Sequence, residues 1–175
     1  MALLPNNVGT RIVVLGVGNV LLSDEGVGPQ VIGELDQGFE FPPQTMLIDG
    51  GTSAMELLDD MAKADLLLIV DAVHSGQEPG SVIKLTGEQV PRFFTTKLSP
   101  HQVGISDVLA TLSLTGETPA ETIIIGVEPA SLRMGMQLSP VVVAAIPLVI
   151  DELFDELRRR GIEPKPRVAA AAASV

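Results

Sequence analysis

The sequence predicts an α/β fold: one three-layer domain with a mainly parallel sheet between helices. Three observations carry that reading. Short, wholly apolar runs rich in Val, Ile and Leu recur along the chain. Segments with apolar residues three or four apart separate them, so strands alternate with helices and the sheet is covered on both faces. The length of 175 residues fits one domain that buries a core without staples.

Each element has a local reason. Arg11-Ile-Val-Val-Leu-Gly16 is a β-branched run that stops at glycines and reads as a buried strand. A helix then begins at Ser23 or Asp24 as N-cap, with Val27, Val31 and Leu35 on one face. Thr45 to Asp49 is a second strand, and Met55, Leu58 and Met61 mark a helix from about Ser53 to Lys63. Ala64 to Ala72 holds the clearest buried strand, an apolar run from Leu66 to Val70 closed by Asp71. Ser81 to Leu85 alternates as an edge strand does, and Pro91 to Gly104 lacks a period and reads as a loop. Ile105 to Leu114 has helical spacing, and Glu121 to Gly126 is a further buried strand. Val141 to Arg160 is a closing helix with Arg158, Arg159 and Arg160 at its carboxyl end, where the dipole favours them. The domain is expected to span residues 1–163. From Pro164 onward, through the alanines at 169–173, a loose end is expected.

Composition narrows the function. The chain has no Cys, which excludes disulfides, thiolate metal sites and a cysteine nucleophile. It has no Trp or Tyr, which removes the usual platforms for stacking bases or sugars. A net charge of −11 argues against nucleic acid and against an anionic membrane surface. It suits a metal ion or a basic peptide, or simply a solvated acidic surface. The N-terminus lacks the basic and apolar regions of a secretory signal. Apolar stretches fall far short of the ~20 residues that span a bilayer. A cytoplasmic protein without membrane insertion is expected, and no solenoid repeat is visible.

In parallel sheets ligands bind beyond the carboxyl ends of the strands. Asp49 and Asp71 lie at such ends, and Glu25 follows the loop after the first strand. Gly16-Val-Gly-Asn19 invites a dinucleotide reading, but the third glycine of that pattern would fall at position 21, where Leu21 stands. A tight turn passing close beneath a site is the other reading of these glycines. Asp24 and Glu25 either complement a helix dipole or belong to a site. Asp71 is either a cap or a site residue, and a metal ion would compensate its burial. Of the two histidines, His101 lies between Pro100 and Gly104, off any core-facing stripe, and His74 follows Asp71 by three. Either is exposed or a neutral metal ligand. Two carboxylates and one imidazole make a three-ligand set with open positions, suited to zinc, nickel or another divalent ion. Neither a His-Glu-x-x-His helix nor a Gly-x-Ser-x-Gly elbow is present.

Gly16-Val-Gly-Asn-Val-Leu-Leu-Ser-Asp-Glu-Gly-Val-Gly28 resembles the N-terminal signature of the nickel–iron hydrogenase maturation proteases. Asp49-Gly-Gly-Thr52 with Met55-Glu-Leu-Leu58, Asp71-Ala72, Ser99-Pro-His-Gln102 and Gly126-Val-Glu-Pro129 match in order, so the resemblance covers about residues 11–160. It implies an α/β domain with a twisted sheet. It also implies an endopeptidase that removes a short C-terminal peptide from a large-subunit precursor already loaded with nickel. The metal is then a divalent ion, nickel, supplied by the substrate. The family's ligands fall on Glu25, Asp71 and His101, while His74 matches none and becomes a surface residue. Asp49 matches an acid near the site. Asp49 or Asp71 would serve as general base toward water, or the ion would polarise the carbonyl or the water itself. Two other classes remain: a non-catalytic nickel carrier or hydrogenase assembly chaperone, and a nucleotide-binding oxidoreductase.

Overall fold

The computed structural model describes residues 10–96 and 100–167. In chain order it holds β1 (Ile12–Val17), a 3-10 turn (Ser23–Gly26), α1 (Val27–Gly38), β2 (Phe39–Glu40) and β3 (Thr45–Gly51). A second 3-10 turn (Ala54–Leu57), α2 (Leu58–Met61), β4 (Leu66–Ala72), β5 (Val82–Thr86) and α3 (Gln89–Thr96) follow. The chain closes with α4 (Pro100–Thr115), β6 (Thr122–Val127), α5 (Pro140–Arg158) and β7 (Lys165–Pro166). The main sheet has the order β3-β1-β4-β6-β5, parallel except for β5, which runs antiparallel at one edge. The expected α/β architecture is therefore the observed one.

Strand alternation divides the core into two layers. Ile12, Val14, Leu66, Leu68, Val70, Ile123 and Ile125 pack beneath α1 and α5. Val13, Leu15, Leu67, Ile69 and Ile124 pack against Met61, α3 and α4. Both faces of β4 are covered, which is why its sequence shows no alternation of polar and apolar residues. Gly16 pairs with Asp49 on one side and Val70 on the other, and Asp71 pairs with Gly126. The parallel strands therefore end together.

Four local expectations differ from the structure. The segment 91–104, expected as a loop, contains the end of α3 and the start of α4. Pro91 and Pro100 each occupy a first helical turn, where a missing N–H breaks no bond, so they open helices instead of ending them. The helix expected from Ser53 to Lys63 is a 3-10 turn and one α-turn, stopped as Lys63 takes φ 55° before β4. Neither Ser23 nor Asp24 caps α1; Gly26 holds that place without a side-chain bond. Lys165–Pro166, expected in a loose end, pairs antiparallel with β2, and the Arg167 N–H donates to Gly38 O at 2.8 Å. Phe39 anchors this pair by meeting Phe154 edge-on at 4.8 Å. Residues 168–175 lie outside the described part. No helix among the described residues is long and apolar enough to cross a membrane.

Candidate active site

The glycines after β1 serve backbone packing. A Cβ on Gly28 would lie 2.3 Å from Val17 O and 2.5 Å from Val70 O, and one on Gly16 would lie 2.3 Å from Gly28 O. The first turn of α1 thus rests directly on the carboxyl ends of β1 and β4, a distance only glycine permits. Gly18, at φ +136°, lets the chain reverse so closely that a Cβ there would fall 1.8 Å from Glu25 O. This seating holds the 3-10 turn, and Glu25 with it, at the end of β4. Glu25 is 5% exposed and Asp71, next to the end of β4, is 2% exposed.

By alternation Asp71 shares the face of Leu67 and Ile69, the face that α3 and α4 cover. His101 stands in the first turn of α4, and not in a loop as the sequence suggested. The direction of α4 follows from its other end: beyond Thr115, the Ala120 N–H donates to Ala64 O at the start of β4. A helix of 16 residues is about 24 Å long, close to the length of the seven-residue strand. Its first turn therefore lies toward the carboxyl end of the sheet, with Glu25 and Asp71. The His101 side chain lies outside the described residues.

Asp49 sits differently. It pairs with Gly16, whose face looks onto α1, so Asp49 stands on the opposite side of the sheet from Asp71. It is exposed, and its Oδ1 accepts from the Gly51 N–H at 3.1 Å. His74 is also exposed, with Nδ1 3.5 Å from Glu128 Oε1.

Two buried acids that the sequence did not single out as organisers frame this rim. Asp24 Oδ1 accepts from the Ser139 N–H at 2.6 Å, and Oδ2 accepts from Ala130 N–H, Ser131 N–H and Ser139 Oγ, each at 2.9 Å. Glu128 Oε2 accepts from Ser75 N–H and Oγ at 2.7 Å, Gly76 N–H at 3.0 Å and Gln77 N–H at 3.2 Å. Burial pushes the Glu128 pKa up, but the Ser75 hydroxyl and the three N–H donors outweigh it and hold the carboxyl below the ordinary glutamate range. One signal was available for Glu128: like Asp71, it is an acid directly after an apolar strand. Asp24 reads from the sequence as an N-cap or as half of an acid pair with Glu25, and its anchoring role leaves no local trace because its donors lie over a hundred positions away.

The rim also carries apolar surface. Gly135 N–H donates to Leu21 O, and Ser23 N–H donates to Gly135 O, which zips the loop after β1 to the loop after β6. Leu21, Met134 and Met136 stand exposed along this seam.

The family model for hydrogenase maturation protease matches residues 29–156. The chain is 45% identical to the hydrogenase 2 maturation protease of Escherichia coli over 91% of its length and 98% of that protein's. It is 40% identical to the hydrogenase expression/formation protein HoxM of Cupriavidus necator over 92% of its length and 81% of that protein's. Among solved structures, the hydrogenase maturating endopeptidase HybD of Escherichia coli superposes with a TM-score of 0.86 at 45% identity, covering 90% of this chain and 98% of that one. Sequence and fold agree over nearly the whole domain, and the chain belongs to the hydrogenase maturation protease family.

Proposed function

We propose that this protein is an endopeptidase that removes the C-terminal peptide of a nickel-loaded nickel–iron hydrogenase large-subunit precursor, recognising the nickel with Glu25, Asp71 and His101. Membership of the family makes it a protease of hydrogenase maturation. The observation that carries the finer reading is the gathering of Glu25, Asp71 and the His101 turn at one end of the sheet. Two carboxylates and an imidazole fit a divalent ion and leave positions for groups of the substrate. A cation also offsets the cost of bringing two acids into a buried rim. The nickel is part of the substrate, and once bound it supplies Lewis acidity at the bond to be cut. The exposed Met134, Met136 and Leu21 beside the rim suit a polypeptide, since flexible apolar side chains adapt to a protein surface.

The chain's own residues have the following tasks. Glu25 and Asp71 hold the nickel through carboxyl oxygens, and His101 through an imidazole nitrogen. With no Cys a covalent thioester route is closed, and the attacking group in this reading is water. An acid takes one proton from that water as it adds to the carbonyl, and passes it to the leaving amine nitrogen. Asp49 or Asp71 serves as this acid; Asp71 is buried on the α4 side and Asp49 is exposed on the α1 side.

Incubating purified protein with a hydrogenase large-subunit precursor and weighing the products by mass spectrometry tests the reading. The wild-type protein should shorten the precursor at its C-terminus, and Glu25→Ala or Asp71→Ala should leave it intact. Processing by Glu25→Ala at the wild-type rate would contradict the ligand assignment. Nickel binding without any cleavage would make the protein a carrier.

A further inference from the structure

We infer that Asp24 is a positioning residue for nickel recognition: its carboxylate fastens the Glu25 turn to the connection between β6 and α5. The inference rests on the proposed role of Glu25. Asp24 is fully buried and accepts four hydrogen bonds, three of them from backbone N–H groups. The donors come from two stretches, Ala130–Ser131 just after β6 and Ser139 at the start of α5. The Asp24 N–H also donates to Ser131 O at 3.2 Å, so the residue is held from both backbone and side chain. Charge-assisted bonds of this kind are about twice as strong as neutral ones.

The consequence for Glu25 follows from local geometry. Asp24 and Glu25 are neighbours in a 3-10 turn, where successive side chains diverge by about 120°. While Asp24 is clamped toward the β6–α5 connection, Glu25 is turned away from it. On the other side the turn is pressed against Gly18, with no room for a Cβ between Gly18 and Glu25 O. The turn is therefore fixed at two points, and the Glu25 carboxylate inherits the precision of both. Outer partners that orient a metal ligand typically matter by 10–100-fold in affinity, which sets the size of the expected effect at about that range.

Asparagine at position 24 keeps the shape but turns one acceptor into an N–H donor facing other donors. Nickel chloride titrated into wild-type protein, Asp24→Asn, Ser139→Ala and Glu25→Gln tests this, at a temperature where circular dichroism shows each folded. Asp24→Asn should bind nickel about 10–100-fold more weakly, and Ser139→Ala should show a smaller loss in the same direction. Cobalt in place of nickel should give Asp24→Asn a visible absorption spectrum of changed shape, which reduced stability alone would not produce. Wild-type affinity and spectrum in folded Asp24→Asn, alongside lost binding in Glu25→Gln, overturn this inference alone. Undiminished binding by Glu25→Gln overturns the ligand assignment and this inference with it. If Asp24→Asn does not fold, wild-type affinity in Ser139→Ala overturns the inference.

Discussion

A carboxylate is costly to bury unless donors or a cation replace its lost hydration, yet Asp24, Glu25, Asp71 and Glu128 are all buried near the carboxyl ends of the strands. For Asp24 and Glu128 the compensation is visible as tight fans of N–H and hydroxyl donors. Glu128 makes this testable. Its folded pKa is depressed, so as pH falls the unfolded chain takes up the proton first, and the stabilisation fades. The contribution is fully present above the unfolded glutamate value of about 4.3 and is lost as pH drops through the lower folded value. Glu128→Gln should cost about 1–3 kcal/mol at neutral pH and flatten the acid limb of stability in urea titrations run across that window. An acid limb of unchanged steepness would show that other groups govern it. Asp71 was legible as a candidate because an acid closes an apolar strand, and Glu25 because it stands at a helix start after the loop that follows the first strand. The roles of Asp24 and Glu128 were not, because a donor set built from distant backbone leaves no local trace. His101 was legible as a candidate residue but not as helical, since Pro100 reads equally well as a breaker and as a first-turn residue.

Elements here are placed by close backbone approach as much as by side-chain packing. The start of α1 reaches the ends of β1 and β4 only because Gly28 has no side chain, and the atoms a Cβ would strike are backbone atoms that cannot rotate away. Gly28→Ala should therefore lift α1, carrying the Glu25 turn with it. We expect a loss of about 1–3 kcal/mol in urea unfolding together with a fall in precursor processing. A variant of wild-type stability and rate would mean that the strand ends yield more readily than the spacing suggests. The same fact explains the glycine signature after the first strand. It is a docking surface for a helix start, and it resembles a dinucleotide fingerprint because both need backbone to meet backbone. Core strands were legible because a run covered on both faces must be apolar throughout, as Leu66 to Val70 is. The β2–β7 pair was not, because two-residue strands held by Phe39, Phe154 and a few backbone bonds carry no period.

At the scale of the whole molecule, stability and activity are expected to separate. On the α5 side, Glu156 is buried and meets Lys84 Nζ at 2.7 Å, Arg160 at 3.0 Å and Arg159 as well. Burial works to raise its pKa, but Lys84 and Arg160 together prevail and hold it low. The cluster ties α5 to the edge strand β5 and, through the ion pair of Arg160 with Glu121, to the amino end of β6. Breaking a buried pair from one side leaves the partner charges uncompensated, so Glu156→Gln should cost about 3–5 kcal/mol. The variant should still process the precursor at the wild-type rate below its melting transition, because Glu121 stands at the amino end of β6 and Asp71 at the carboxyl end of β4. A rate that falls in step with stability would show the two ends to be coupled. The central claim is that Glu25, Asp71 and His101 read nickel in a precursor that the protein then cuts. Its most direct test is to present nickel-loaded and nickel-free large-subunit precursor side by side and follow loss of the C-terminal peptide by mass spectrometry. Cleavage of the loaded form alone is the predicted result; equal cleavage of both forms would contradict it.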